Sequence, residues 1–178
     1  MKKILLSILA FYLISNCIVA QIEYIFPSAI SPIIKISVDT NLWTVDNSDG
    51  VFTISPSSSE DSNNFVCMIW ASEDLTSENV FDDLAAQATA VVNTLLTDVT
   101  WAEDVTDFEN NGITFVGTDG GGYYNLEDGS SLKMVTSIMF LLPDSINALA
   151  LVFFSTETTY DKYENSFLNM ILSIKPAQ

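Results

Sequence analysis

Leu132–Leu142 (LKMVTSIMFLL), the break Pro143-Asp144-Ser145-Ile146-Asn147 and Ala148–Phe154 (ALALVFF) decide the fold. A strand with one face in water alternates apolar and polar residues. Neither Ile138–Leu142 (IMFLL) nor Ala148–Phe154 alternates, so both faces of these strands are buried. A parallel crossover needs about a dozen residues or more, and the break is far shorter. The pair is therefore antiparallel, and something must cover each face.

Two helices supply the covers. Downstream, Thr158 and Asp161 resemble a capping box. Tyr160, Tyr163, Phe167, Met170 and Ile174 then share one helical face, and Pro176 ends the run. Upstream, Phe81, Leu84, Ala88, Val91 or Val92, and Leu95 recur at helical spacing. Thr76 or Ser77 caps that helix, with Glu78, Asp82 and Asp83 in or near its first turn. Shorter strands complete the sheet. Leu42–Val45 and Val51–Ser55 flank the Asp49-Gly50 turn, and Phe65–Ala71 follows. Trp101–Glu109 and Ile113–Thr118 flank Asn110-Asn111-Gly112. The polar stretches Asp46–Gly50 and Ser55–Asn64 are loops inside one domain. The expected fold class is α+β, a three-layer α/β/α sandwich around a mainly antiparallel sheet.

The ending reads as a strand (ALALVFFS), a helix with Tyr-Asp-Lys-Tyr, then Leu-Ser-Ile-Lys. With Trp43, the Val51–Pro56 strand and Gly117 near a strand end, it resembles the PsbP-like fold shared with DcrB-like bacterial lipoproteins. The resemblance spans Ser37 to Pro176. It implies an antiparallel sheet between helices and no shared active site. Members of the group serve as photosystem accessory subunits, transport-factor partners, chaperones and unassigned exported proteins. No functional residue of the group maps onto this chain.

The N-terminus has the form of a secretory signal: Lys2 and Lys3, the apolar Ile4–Ile14, then a cut after Ala20. The apolar stretch is too short to span a bilayer, so no membrane anchor is expected after its removal. The segment also resembles the signals of exported Bacteroidetes proteins, which often end in Ala-Gln. Lipidation at Cys17 is the lesser alternative, because Asn16 precedes it where a small residue is usual. The expected organisation is a signal peptide over 1–20, a partly disordered lead over 21–36 broken by Pro27 and Pro32, and one domain over 37–176.

The 178 residues hold 23 acids, 6 lysines and no Arg or His, a net charge of −17. Without His there is no Ser-His-Asp or Cys-His pair and no His metal ligand. Nucleic-acid binding needs a basic footprint, so no nucleic acid is expected as partner. A hydrophobic content of 48% and a mean hydropathy of +0.31 argue for a packed core despite the charge. Cleavage after Ala20 would leave Cys67 alone, with no internal disulfide.

Candidate chemistry is thin, and no catalytic, cofactor-binding or metal-binding residue is assigned; no cofactor is expected. Cys67 sits mid-strand beside Phe65 and Ile69, with no cation near in sequence, and reads as a core thiol. Thr118-Asp119-Gly120-Gly121-Gly122 lacks the Lys and helix of a phosphate loop and reads as a strand connection. Asp119, Glu127, Asp128 and Asp144 are oxygen ligands of the kind Ca²⁺ takes, but the Asp46–Gly50 loop misses the EF-hand register, with Val45 in first place. Trp43, Trp70 and Trp101 read as core, and Tyr123 and Tyr124 as the exposed aromatics.

The expected function is that of an exported, non-catalytic accessory or binding protein, meeting another envelope or exported protein through a surface or cleft. The alternatives are a carrier or chaperone for an apolar ligand and, below it, a carboxylate hydrolase. A cleft discriminates them. One above about 300 Å³ lined by Phe and Leu favours the carrier, and one holding paired acids favours the enzyme. Intact mass and N-terminal sequencing of the exported protein should find Gln21 at the start. A lipidated Cys17 would move the cleavage site, and a retained Met1 would refute this export route.

Overall fold

The run that refuses to alternate becomes the central strand of a large sheet. The computed structural model describes residues 21–28, 30–71, 90, 92–102, 105–144 and 148–177. Its strands are β1 (Gln21–Pro27), β2 (Pro32–Asp39), β3 (Trp43–Ser48), β4 (Val51–Pro56), β5 (Phe65–Ala71), β6 (Thr97–Trp101), β7 (Thr106–Asn110), β8 (Ile113–Asn125), β9 (Ser131–Leu142), β10 (Leu149–Thr156) and β11 (Lys175–Pro176). The helix α1 spans Glu157–Leu172. The main sheet has the order β3-β4-β5-β10-β9-β8-β6, and β7 also pairs with β8. A smaller sheet has the order β1-β2-β11. Each of these pairings is antiparallel.

Strand β10 is buried on both faces, as the missing alternation requires. Leu149, Leu151 and Phe153 join one apolar cluster. Ala150, Val152 and Phe154 join a second one. The first cluster lies beneath α1 and the small sheet, through Tyr160, Phe167, Ile171, Phe26, Ile34 and Ile36. The second holds Val116, Ile138 and Phe140 with Val92 and Leu96. The helix expected from Phe81 to Leu95 falls mostly on residues 81–89 and 91, outside the described residues, though Ala90 and Val92 are helical. Among the described residues one helix and the small sheet cover one face of the main sheet, and the second helical layer of the expected α/β/α sandwich falls outside them.

The expected disordered lead is instead strand β1 with the start of β2. Phe26, Ile34, Ile36 and Val38 are fully buried. Their period-two spacing in β2 is a half-buried strand pattern that Pro27 and Pro32 obscure in the sequence. The single strand expected over Trp101–Glu109 is two strands, β6 and β7, which pair with different parts of β8.

Both expected hairpin turns form. Asp49 and Gly50 have φ of 52° and 76°, and Asn111 and Gly112 have 52° and 79°, the positive pair that a two-residue hairpin turn requires. Helix α1 begins two residues earlier than its expected cap. The N-cap is Thr156, whose hydroxyl accepts from the Thr159 N–H at 3.4 Å. It stops at Ser173, whose N–H reaches the carbonyls of Asn169 and Met170. Pro176 lies beyond, in β11.

The loop after β4 is tied to α1 by Asp61, which accepts from Lys162 Nζ and from the Tyr163 hydroxyl. The Lys162 hydrogen bond, then that of Tyr163, holds the Asp61 carboxyl below its ordinary 3.8. A carboxyl with a lowered folded pKa stabilises above its unfolded value, and that contribution is lost as pH falls through the folded value. Asp61→Asn should therefore lower the melting temperature at neutral pH. Thermal melts in increasing acid should show the gap to wild type closing below about 3.8; a constant gap would refute the ion-pair account.

Candidate functional site

Strand β8 runs straight through Thr118–Gly122, where the sequence suggests a connection between strands. A Cβ on Gly120 would lie 2.6 Å from Trp101 Cε3 and 2.8 Å from the Thr100 carbonyl. The missing side chain lets β6 and its Trp101 lie against the strand. Successive residues of a strand point to opposite faces. Gly120 and Gly122 therefore face Trp101, Leu96 and Val99. Asp119, Gly121 and Tyr123 face the side that carries α1. With no side chain at Gly121, a hollow is left between Asp119, Tyr123 and the first turn of the helix.

That hollow is a cleft of about 380 Å³. Gly121, Asp119 and Val135 form its floor, and Glu157, Tyr160 and Asp161 come from α1. Asp98 and Thr100 of β6 and the cross-strand pair Tyr123 and Lys133 also line it. Asp119 is only 8% exposed and Tyr160 only 4%. The Tyr160 ring stacks on Phe153 at 5.4 Å, and its hydroxyl is buried. Burial, then the negative charge of Glu164, Asp119 and Asp161, pushes its pKa far up, so the phenol stays protonated. The Ser137 hydroxyl, also buried and without a partner, sits on the residue paired with Asp119 in the β8–β9 ladder. Lys133 is exposed, and among the described residues no ion pair engages it.

Of the acids singled out in the sequence, only Asp119 reaches this cleft. Glu127 and Asp128 lie in the β8–β9 turn, where the Ser130 hydroxyl and N–H bond Asp128 and hold its carboxyl low. Asp144 follows β9 in the next connection. Among the described residues no three Asp, Glu or Cys side chains are grouped to hold a metal ion. Cys67 is fully buried, and burial pushes its thiol pKa up, as a core residue requires. Trp43 is core, donating from Nε1 to Ser166 Oγ at 2.8 Å, whereas Trp70 and Trp101 are only partly buried. Tyr123 and Tyr124 are exposed as expected, at 42% and 44%. Asp98, Lys133, Glu157, Tyr160 and Asp161 escape sequence reasoning as site residues. Tyr160 reads as one more apolar position of a helix stripe, and only the fold brings it to the cleft that Asp119 also lines.

No family model matches this sequence, and no curated protein does. Solved structures do. Cyanobacterial PsbP (CyanoP) from Synechocystis aligns over 92% of this chain and 99% of its own, at 12% identity and TM-score 0.56. The chain has a PsbP-like fold. LpqN, involved in cell envelope biogenesis of Mycobacterium tuberculosis, aligns over 91% of this chain and 93% of its own, at 14% identity and TM-score 0.53. A Bacteroides thetaiotaomicron protein aligns over 88% of this chain at 11% identity and TM-score 0.50, and this chain spans 48% of that one. Identities this low show shared fold alone. Among the described residues no helix is long and apolar enough to cross a membrane.

The PsbP-like sheet reaches the cleft through its glycines, which gives a direct test. Gly120→Ala should overpack the β6–β8 contact and cost about 1–3 kcal/mol in chemical denaturation. A neutral result would mean that Trp101 does not lie against this strand.

Proposed function

We propose that this protein is an exported, non-catalytic accessory or binding protein, and that the cleft between β6, β8, β9 and α1 is its contact site. One observation carries this reading. A cleft of about 380 Å³ opens between the sheet and the first turn of α1, with the largely buried Asp119 and Tyr160 in its wall. The size falls in the range of about 300–1,000 Å³ used by small-molecule sites. The signal-like N-terminus and the shared fold with an envelope-biogenesis protein support a place in the cell envelope, with another exported protein as source or recipient of what is bound.

The apolar-carrier alternative keeps support from a lining surface that is mainly apolar, supplied by Met134, Val135, glycines and tyrosines rather than by Phe and Leu. The hydrolase keeps a specific support: Asp98, Asp119, Glu157 and Asp161 line one cleft, and paired carboxylates are the machinery of glycoside cleavage.

Thr100 is exposed on the edge strand and faces Gly121 across the ladder, so Thr100→Trp plugs the cleft from outside the core. Thermal melts of both proteins against cationic, anionic and neutral small molecules should show wild type stabilised by at least one class, and the plugged variant by none. Chromogenic glycosides, esters and phosphates should show no turnover. If no class stabilises wild type, the binding reading fails. Turnover that both Thr100→Trp and Asp119→Asn abolish would establish the hydrolase instead.

A further inference from the structure

We infer that Asn111 is a self-modifying site: hydrolysis of its side-chain amide unlatches the β7–β8 hairpin from the end of α1.

The latch comes from the helix terminus. The last carbonyls of a helix have no partner inside it, and the aligned dipoles leave that end partly negative. A basic side chain often answers both, but α1 has none in its last turn. The hairpin turn supplies amides in that place. Asn110 Nδ2 donates to the Leu172 carbonyl at 2.8 Å. Asn111 Nδ2 donates to the Leu172 carbonyl at 3.0 Å and to the Ile174 carbonyl at 3.0 Å. Both hydrogens of the Asn111 amide are thereby used. Just beyond, Lys175 and Pro176 pair with β2 and the Ala177 N–H reaches the Ile33 carbonyl. One side chain therefore helps to fix α1, β11 and the hairpin together.

The same amide is the reactive one. Asn111-Gly112 is the one Asn-Gly step in the sequence. The Gly112 backbone nitrogen can attack Cγ of Asn111, because glycine brings no side chain to hinder the approach. A bond from that nitrogen to Cγ forms, the Cγ–Nδ2 bond breaks, and Nδ2 leaves as ammonia with the proton from the backbone nitrogen. Water then opens the five-membered imide to an aspartate or isoaspartate. The net change exchanges amide and water for carboxylate and ammonia. Both turn residues are exposed, so water and base reach them.

Structure couples the two roles. While the leaving nitrogen is held by two carbonyls, the amide is kept from attack, so the reaction proceeds through local opening of the hairpin. Afterwards the change is one-way. A carboxylate cannot donate to Leu172 and Ile174, and it sets a negative charge against two carbonyls at the negative end of the helix. The opened latch does not close again.

Incubating the full exported chain at mildly alkaline pH, with and without urea, tests this. A protease cutting after Glu releases residues 110–127 for mass spectrometry. In urea, conversion at Asn111 should outrun that at every other Asn; in native buffer it should be about tenfold slower or more. The converted protein, separated by its extra negative charge, should melt about 2–4 °C lower, as should Asn111→Asp. Hydrogen exchange at the Ile174 and Ala177 amides should quicken in both. Asn111→Gly keeps a residue suited to positive φ and should show no conversion here and a smaller loss of melting temperature. Equal rates in urea and native buffer would overturn the latch. Conversion in urea no faster than at other Asn residues would overturn the site. Wild-type melting and exchange in both the converted protein and Asn111→Asp would overturn the unlatching.

Discussion

Burial of both faces of β10 is the constraint on which the rest depends. Phe153 packs at its centre, stacked on Phe65 at 5.8 Å and on Tyr160 at 5.4 Å, with Phe167 edge-on at 4.9 Å. Removing an aromatic from such a core costs about 3–5 kcal/mol, a large share of a domain's net stability. That packing holds α1 against the sheet, and α1 in turn presents Tyr163 and Lys162 to Asp61. The side chain of Ser173 then joins the end of the helix to Ser37 of β2. The small sheet completes the cover that one helix is too narrow to provide over so wide a sheet.

The cleft is what remains where that cover stops. Helix α1 lies over β9 and β10, and its first turn reaches toward β8 without covering it. A strand with ordinary side chains would fill the gap from below. Here Gly121 leaves it open, while Gly120 and Gly122 let β6 pack tightly on the other face. The same three residues close one side of the sheet and open the other, so the site is a property of strand alternation and not of a loop.

Electrostatics divides the lysines unevenly. Lys35 and Lys175 hold Glu23 at the small sheet, and Lys162 holds Asp61 at the helix. These bridges are largely exposed, so each contributes little by itself. Their role is to join segments distant in sequence in a chain of net charge −17. Of the residues that line the cleft, Lys133 is the one cation beside the acids Asp98, Asp119, Glu157 and Asp161.

Several elements were legible in the sequence because they depend on local chemistry. The runs IMFLL and ALALVFF dictated a two-sided, antiparallel central pair. Asp49-Gly50 and Asn111-Gly112 dictated their turns through positive φ, and the apolar environment of Cys67 dictated an inert thiol. Other features were decided only by tertiary structure. Gln21–Pro27 becomes a strand because Phe26 finds a pocket beside Phe52, a contact no local pattern announces. Thr118–Gly122 stays in a strand because Trp101, Leu96 and Val99 press against its glycines, which by themselves read as a turn. The candidate site was invisible for the same reason. Asp98, Asp119, Tyr160 and Lys133 come from four elements, and each has a bland local reading as surface charge or core aromatic. Long-range strand register and the seat of one helix bring them together, and neither is written in any short stretch of the chain.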